Sequence, residues 1–239
     1  LYNEALRKLD EMEKEQHNKT THDLGFMMYC SFGNAYRLYP RPAWKDIIIT
    51  SARSLASRFN EKVGCIKSWD TDAGRFMVII DNMMNLELLF AATKFTGDSS
   101  FYKIAVTHAN TTLKNHFRPD YSSHHLVIYD PETGGIQKKQ TVQGANDSSA
   151  WARGQSWGLY GYTMTYRETK DKKYLKHAEG IADFMLKHLP EDAVYYWDFN
   201  APGIPNAPRD VSAGAITCSA LFELQGYVKG KKRKKYLNA

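Results

Sequence analysis

Four apolar runs are spaced along the chain, and each is opened by an aspartate. They cover residues 22–39 behind Asp23, 80–97 behind Asp81, 146–169 behind Asp147 and 209–230 behind Asp210. The aspartates recur about 60 residues apart, which marks repetition of one structural unit. A more polar, amphipathic run follows each apolar one. Residues 99–117 and 172–189 match position by position, and 41–59 is a looser copy. Residues 231–239 read as the start of another and 1–16 as an earlier one. The predicted unit is an αα-hairpin of an apolar helix, a short turn and an amphipathic helix. Helices that are apolar nearly all round call for burial on both sides, whereas amphipathic ones keep a wet face. A ring of inner helices inside a ring of outer ones meets both demands, so the expected fold is all-α, an α/α-barrel of helical hairpins.

The connections are unequal. "YPRP", "TGDS" and "ETKDK" are short, while residues 17–23, 60–81, 118–147 and 190–210 form longer, aromatic and polar loops. All four aspartates stand at the long-loop end, where function concentrates on such folds. Inner-helix N-termini point the same way and favour anions. Residues 126–142, "LVIYDPETGGIQKKQTV", read as a small β-hairpin around a glycine-rich turn.

Composition narrows the classes. With 239 residues, 43% of them hydrophobic, the chain holds one sizeable core, expected as a single domain over 1–239. The net charge is +6, much of it in "KGKKRKKYLNA", a run that reads as the solvated face of an outer helix and gives no reason to expect a nucleic-acid partner. Cys30, Cys65 and Cys218 lie far apart in no metal-type spacing, which argues against a disulfide framework. No apolar run approaches membrane-spanning length, so no membrane association is expected. The chain opens "LYNEALRK", without a methionine or a signal-like segment.

Candidate chemistry lies among the carboxylates. An aspartate before an apolar helix is usually an N-cap, and that reading suits Asp147 and Asp210. Asp81 differs: it follows "FMVII" and precedes "NMMNLELLF", so its charge is expected to be half-buried or buried. Burial without a partner penalises the ion and raises the pKa, as a general acid requires. Asp23, behind Thr21 and His22, occupies a comparable place. Arg153 and Trp157 stand one helical turn apart and share a face, with Gln143 in the loop before. A guanidinium and an indole presented together suit an acidic sugar. The alternative is that Trp151 and Trp157 belong to the core and that Arg153 pairs with a structural acid. His124 and His125 are adjacent in a strand, so at most one of them faces a cleft. The chain carries no HExxH, nucleophile elbow or phosphate loop, and no metal or cofactor is called for.

The stretches "THDLGF", "FMVIIDNMMNLELLF", "QGANDSSAWARGQSWGLYGY" and "DVSAGAI" resemble the unsaturated glucuronyl hydrolases, glycoside hydrolase family 88. The resemblance runs over essentially the whole chain and implies an (α/α)6 barrel. The chain supplies fewer helices than six hairpins hold, so it reads as a barrel core with both ends missing. By this similarity Asp81 is the general acid/base and Asp23 the second essential aspartate. Gln143, Arg153 and Trp157 are substrate-binding positions, as is one of the two histidines, taken here as His124. The implied substrates are lyase-made oligosaccharides of glycosaminoglycan type that carry a 4,5-unsaturated uronic acid at the non-reducing end. The implied reaction is hydration: Asp81 protonates C4 of the vinyl ether, water adds at C5, and the glycosidic bond then falls apart. Rules that link carboxylate separation to stereochemistry do not apply, because C1 is not attacked. A soluble bacterial protein of the cytoplasm or periplasm is implied. The rivals are an unsaturated rhamnogalacturonyl hydrolase on the same barrel and a non-catalytic glycan-binding or helical scaffold protein.

Overall fold

The four apolar runs become inner helices because each buries an apolar face against its neighbours, almost all round for residues 82–92 and 152–165 and on one side for 24–38 and 211–224. The structure, a computed structural model, describes residues 1–70 and 74–239. Residues 71–73, within the 60–81 loop, lie outside that description. After α1 (Tyr2–Met12) and a 3-10 segment (Glu13–His17), the first inner element is α2 (Leu24–Met28), which runs through a π-helical turn (Tyr29–Gly33) into α3 (Asn34–Leu38). The outer helix α4 (Pro42–Ala56) follows, with the two-residue strands β1 (Phe59–Asn60) and β2 (Cys65–Ile66) and then β3 (Phe76–Ile79). The pairs α5 (Asn82–Thr96) with α6 (Ser99–Asn115) and α7 (Ala152–Thr169) with α8 (Lys172–Lys187) are inner and outer helices. Between them lie β4 (Leu126–Tyr129) and β5 (Ile136–Gln140). The inner α9 (Val211–Leu224) and the short outer α10 (Gly230–Leu237) complete the order.

The inner helices pack in the sequence α2, α5, α7, α9, and the outer helices cover them from behind. This is the two-layered α/α arrangement expected from the pattern. Close approach depends on missing side chains. A Cβ on Gly25 would fall 2.4 Å from the Asn85 carbonyl oxygen, and one on Gly161 would fall 2.5 Å from Met83 Cβ. Glycine at these two places lets α2 and α7 press against α5. The core between the layers includes Ile48, Leu55, Leu86, Leu89, Leu159, Tyr162 and Ile181. Each fully buried aliphatic side chain contributes roughly 1.5–3 kcal/mol. At the short-turn end Arg167 of α7 pairs with Glu87 of α5 and with Glu223 of α9 at 2.7 Å, joining three inner helices.

The aspartates separate into two kinds. Asp210 caps α9, accepting from the Ala213 N–H at 2.9 Å, and Asp98 and Asp171 cap α6 and α8 in the same way. Asp23 and Asp81 hold the cap positions of α2 and α5, but their side chains make no capping bond. The cap reading of Asp147 is corrected. Helix α7 begins only at Ala152, after Trp151, and Asp147 instead accepts from the Thr141 N–H at 3.0 Å in the preceding turn.

The hairpin of β4 and β5 is present and has a third strand. β3 pairs antiparallel with β4, aligning Ile79 with Leu126, and β4 aligns Leu126 with Gln140 of β5. The residues just past β3, just before β4 and just past β5 therefore emerge at one end of the sheet. Among the described residues, no helix is long and apolar enough to cross a membrane.

Candidate active site

The end of the three-stranded sheet is where separate parts of the sequence meet. Asp81 follows β3 by two residues, His125 immediately precedes β4, and Gln143 follows β5. The Ile80 N–H donates to the His125 carbonyl at 2.9 Å and fixes the first two together. Asp23 and Phe26 arrive from α2, Arg153 and Trp157 from α7. Asp23, Phe26, Met27, Asp81, Met84, Gln143, Trp151, Arg153 and Trp157 line one open cleft of about 340 Å³ at the long-loop end. Other hollows are larger, about 470 Å³ against α8, about 560 Å³ under the 190–209 loop and about 350 Å³ beside α3, but none of these three holds these residues. Chemistry, not volume, selects the cleft.

Asp81 has a side chain only 15% exposed. Burial pushes its carboxyl up to about 7; the negative charge of Asp23 adds to the rise, while its own backbone and Arg153 oppose it. Asp23, by contrast, is 54% exposed. The sequence placed the two aspartates in comparable surroundings; the structure sequesters one carboxyl and leaves the other solvated.

His125 is buried, and its tautomer follows from its neighbours. Its Nδ1 receives the Val142 N–H at 3.0 Å and the Gln143 N–H at 3.3 Å, so Nδ1 is an acceptor and the hydrogen sits on Nε2. Nε2 faces Asp81 Oδ2 across 3.7 Å, and neither atom has a hydrogen-bond partner among the described residues. Burial lowers His125 to about 4, with His22 contributing, so the ring is neutral near pH 7. Its plane leans on the Trp151 indole, with centroids 4.9 Å apart.

His124, the histidine chosen from the sequence, turns away. Its Nδ1 accepts from Arg118 at 3.1 Å, and its N–H donates to the His116 carbonyl at 2.7 Å. Arg118 also donates to the carbonyls of Asp147 and Ser149, each at 3.1 Å, so His124 belongs to the support of the turn before α7. Of the two histidines it is His125, not His124, whose ring faces Asp81. Strand alternation puts the two rings on opposite sides, and the sheet register turns His125 toward Asp81.

Arg153 pairs with a structural acid and still lines the cleft. Its Nε lies 3.3 Å from Asp210 Oδ2, an ion pair with the acid that caps α9. It also lies over the Trp151 ring, 5.0 Å from the centroid. The side chain is still 38% exposed and reaches the cleft. Trp157 stands edge-on to Phe26 at 6.0 Å. Phe26, Met27 and Met84 were not singled out from the sequence, and Trp151 was read there only as a core residue. The first three stand a helical turn beyond Asp23 or Asp81, and that spacing was the available signal. Among the described residues, no group of three His, Cys, Asp or Glu side chains is placed to hold a metal.

No protein-family model matches the chain. An unsaturated glucuronyl hydrolase of Formosa agariphila is 54% identical over 225 residues, which is 92% of this chain and 56% of that protein. An unsaturated chondroitin disaccharide hydrolase of Streptococcus pneumoniae is 39% identical over 206 residues, 85% of this chain and 52% of its own length. The chain thus spans about half the length of these relatives. The crystal structure of an unsaturated glucuronyl hydrolase specific for heparin superposes with a TM-score of 0.91 at 48% identity, over 95% of this chain and 62% of the other. With agreement of this extent in sequence and in backbone, the chain belongs to the family of the unsaturated glucuronyl hydrolases.

Proposed function

We propose that the protein hydrolyses lyase-made oligosaccharides by hydrating the double bond of a 4,5-unsaturated uronic acid at their non-reducing end, and that residues 1–239 form the larger part of one catalytic barrel. The observation that carries the reading is the burial of the Asp81 carboxyl at the wall of the cleft, with Oδ2 lacking a hydrogen-bond partner among the described residues. That carboxyl holds a proton up to about pH 7, in the same cleft as an exposed aspartate and a partly exposed guanidinium.

A vinyl ether is protonated at the carbon remote from its oxygen. Asp81 gives its proton to C4, and positive charge spreads over C5 and the ring oxygen. The Asp81 carboxylate then takes a proton from water as the water oxygen bonds to C5, which restores the acid. The resulting hemiketal opens to a ketone at C5. C1, now a hemiacetal, releases the remaining sugar as an alcohol. Atoms and charge balance without an external oxidant or reductant.

Arg153 binds the uronate carboxylate. Its Nε is committed to Asp210, which leaves the terminal nitrogens for a forked contact. Trp157 and Phe26 offer apolar surface to the sugar face. His125 directs its Nε2–H toward the reacting region and Gln143 reaches in from the same loop, whose backbone the His125 ring secures. Names of relatives that specify chondroitin disaccharide and heparin support a glycosaminoglycan-type substrate. Incubating the full-length protein with lyase-made disaccharides and following the ultraviolet absorbance of the conjugated double bond tests the reading. Unchanged absorbance with chondroitin, hyaluronan and heparin disaccharides alike overturns it.

A further inference from the structure

His22 takes no part in the chemistry above, yet it is only 2% exposed and both its ring nitrogens face acceptors. Nδ1 lies 3.0 Å from the Ser68 carbonyl oxygen, and Nε2 lies 3.2 Å from Asp23 Oδ1 with no other partner among the described residues. A carbonyl oxygen only accepts, so Nδ1 carries a hydrogen. A neutral ring in that tautomer points a bare lone pair at a carboxylate. Two facing acceptors repel, and His22 Nε2, closed off from solvent, has no water to turn to. One proton between Nε2 and Oδ1 removes the conflict, whichever atom owns it.

The surroundings decide the charge of the pair. Burial pushes His22 below the usual imidazole range; Asp23 and the Ser68 carbonyl oppose this, and Arg58 adds to the lowering. Arg58, at the end of α4, donates to the same Ser68 carbonyl at 3.4 Å and is paired with Asp70 at 3.0 Å. From the α6 side comes His108, and from the β4 side His125, both held neutral by burial. Asp81 lies beyond Asp23, and the Trp69 ring stands edge-on to His22 at 6.2 Å. The one anion in direct reach of Nε2 among the described residues is therefore Asp23.

We propose that His22 is a positioning residue that shares a single proton with Asp23, between Nε2 and Oδ1, so that the pair carries no net charge toward an acidic sugar. The inference rests on the proposed reading of Asp23 and Asp81 as the working carboxylates. A uronate carboxylate seated at Arg153 then meets no second full anion across the cleft. Asp81 gives up and recovers its proton beside a pair of no net charge, and burial, the largest cause, keeps its carboxyl raised.

The experiment uses the full-length protein with ¹⁵N-labelled histidines and reads the His22 ring nitrogens. In the wild type, Nδ1 is protonated and Nε2 shows partial protonation across about pH 5–8, the range in which a free histidine titrates. In Asp23→Asn the shared proton is gone, and Nε2 takes the signal of a plain acceptor. Identical Nε2 signals in the two proteins, or a bare Nδ1, overturn the proposal. These spectra require no turnover. A shared-proton signature in a protein that leaves the disaccharide intact refutes the proposed reaction and not the proton.

The kinetic arm uses His22→Asn, whose amide keeps a donor for Ser68 but falls short of Asp23. Asp23 becomes a full anion, so KM for an unsaturated disaccharide rises by ~10-fold, the factor that one pKa unit represents. The alkaline limb of kcat/KM moves to higher pH, because Asp81 now faces an uncompensated charge. A folded variant with wild-type KM and an unmoved limb overturns the proposal. If His22→Asn does not fold, the Asp23→Asn spectra still decide.

Discussion

His125 Nε2 and Asp81 Oδ2 face one another across 3.7 Å, a donor and a carboxyl oxygen, neither atom with a hydrogen-bond partner among the described residues. The backbone of Val142 and Gln143 fixes which nitrogen of His125 is the donor. His125→Asn keeps an acceptor for those amides and loses the donor toward Asp81. Its kcat is expected to fall by ~10-fold or more, the low end of what a group acting in the transition state supplies, with little change in Tm. His124→Asn should do the reverse: it loosens Arg118, lowers Tm and spares the kinetic constants of the folded protein. Equal kinetic damage from both variants would return His124 to the cleft.

Asp81→Asn should retain the fold and lose ~10²–10⁴-fold or more in turnover, since an amide has no acidic proton to deliver. In the wild type, Asp81 must be protonated to act, so kcat/KM should decline as pH rises through about 7. A flat profile from pH 6 to 9 (about the span bracketing that value) would remove Asp81 as the acid.

The same carboxyl costs stability. Its folded value, about 7, lies above the ordinary aspartate value of 3.8. The folded state therefore binds this proton more tightly than the unfolded chain. The contribution is fully present below the unfolded value and is lost as pH rises through the folded one. Asp81→Asn has no such group, so its Tm advantage over the wild type should grow across that window and level off above it. The full difference has a ceiling of about 4 kcal/mol. A Tm difference that is constant with pH counts against the raised value.

Arg153 and Asp210 are linked through the α9 cap. Asp210→Asn keeps an oxygen for the Ala213 N–H but frees Arg153 Nε. Tm should change little, while KM rises because the guanidinium is no longer held. Arg153→Lys retains the charge without the fork and should raise KM further. Unaltered constants in both stable variants would leave Arg153 a purely structural partner of Asp210.

Trp157→Ala should weaken disaccharide binding by roughly 1–3 kcal/mol, through the sugar face left against water. Melting temperature and KM measured on one preparation separate this from a packing role, in which Tm falls and KM stays.

The helical framework was legible because periodicity is local: a helix face repeats within a few residues, and the four apolar runs announce themselves. Burial of Asp81 was legible for the same reason, since its apolar flanks are adjacent in sequence. What escaped depends on partners far along the chain. The run before Asp81 was read as an apolar flank, although Phe76–Ile79 is a strand whose mate begins at Leu126. Without that pairing nothing told His124 from His125. The late start of α7 also escaped, because "NDSS" carries ordinary capping chemistry while Asp198 and Arg118, both remote, hold the turn in another form.

β5 is the edge of its sheet, paired on one side only with β4, and its residues Ile136, Gln137 and Lys138 are exposed. Edge strands open locally at a free energy well below that of global unfolding. When β5 lifts, the Val142 and Gln143 amides leave His125 together, and the ring can adopt the other tautomer. The lifetime of the competent site is then set by fraying of this one strand, while the helices stay folded. Amide exchange at Val142 and Gln143, faster than at Val127 in the centre of the sheet, would measure how often the catalytic arrangement dissolves and re-forms.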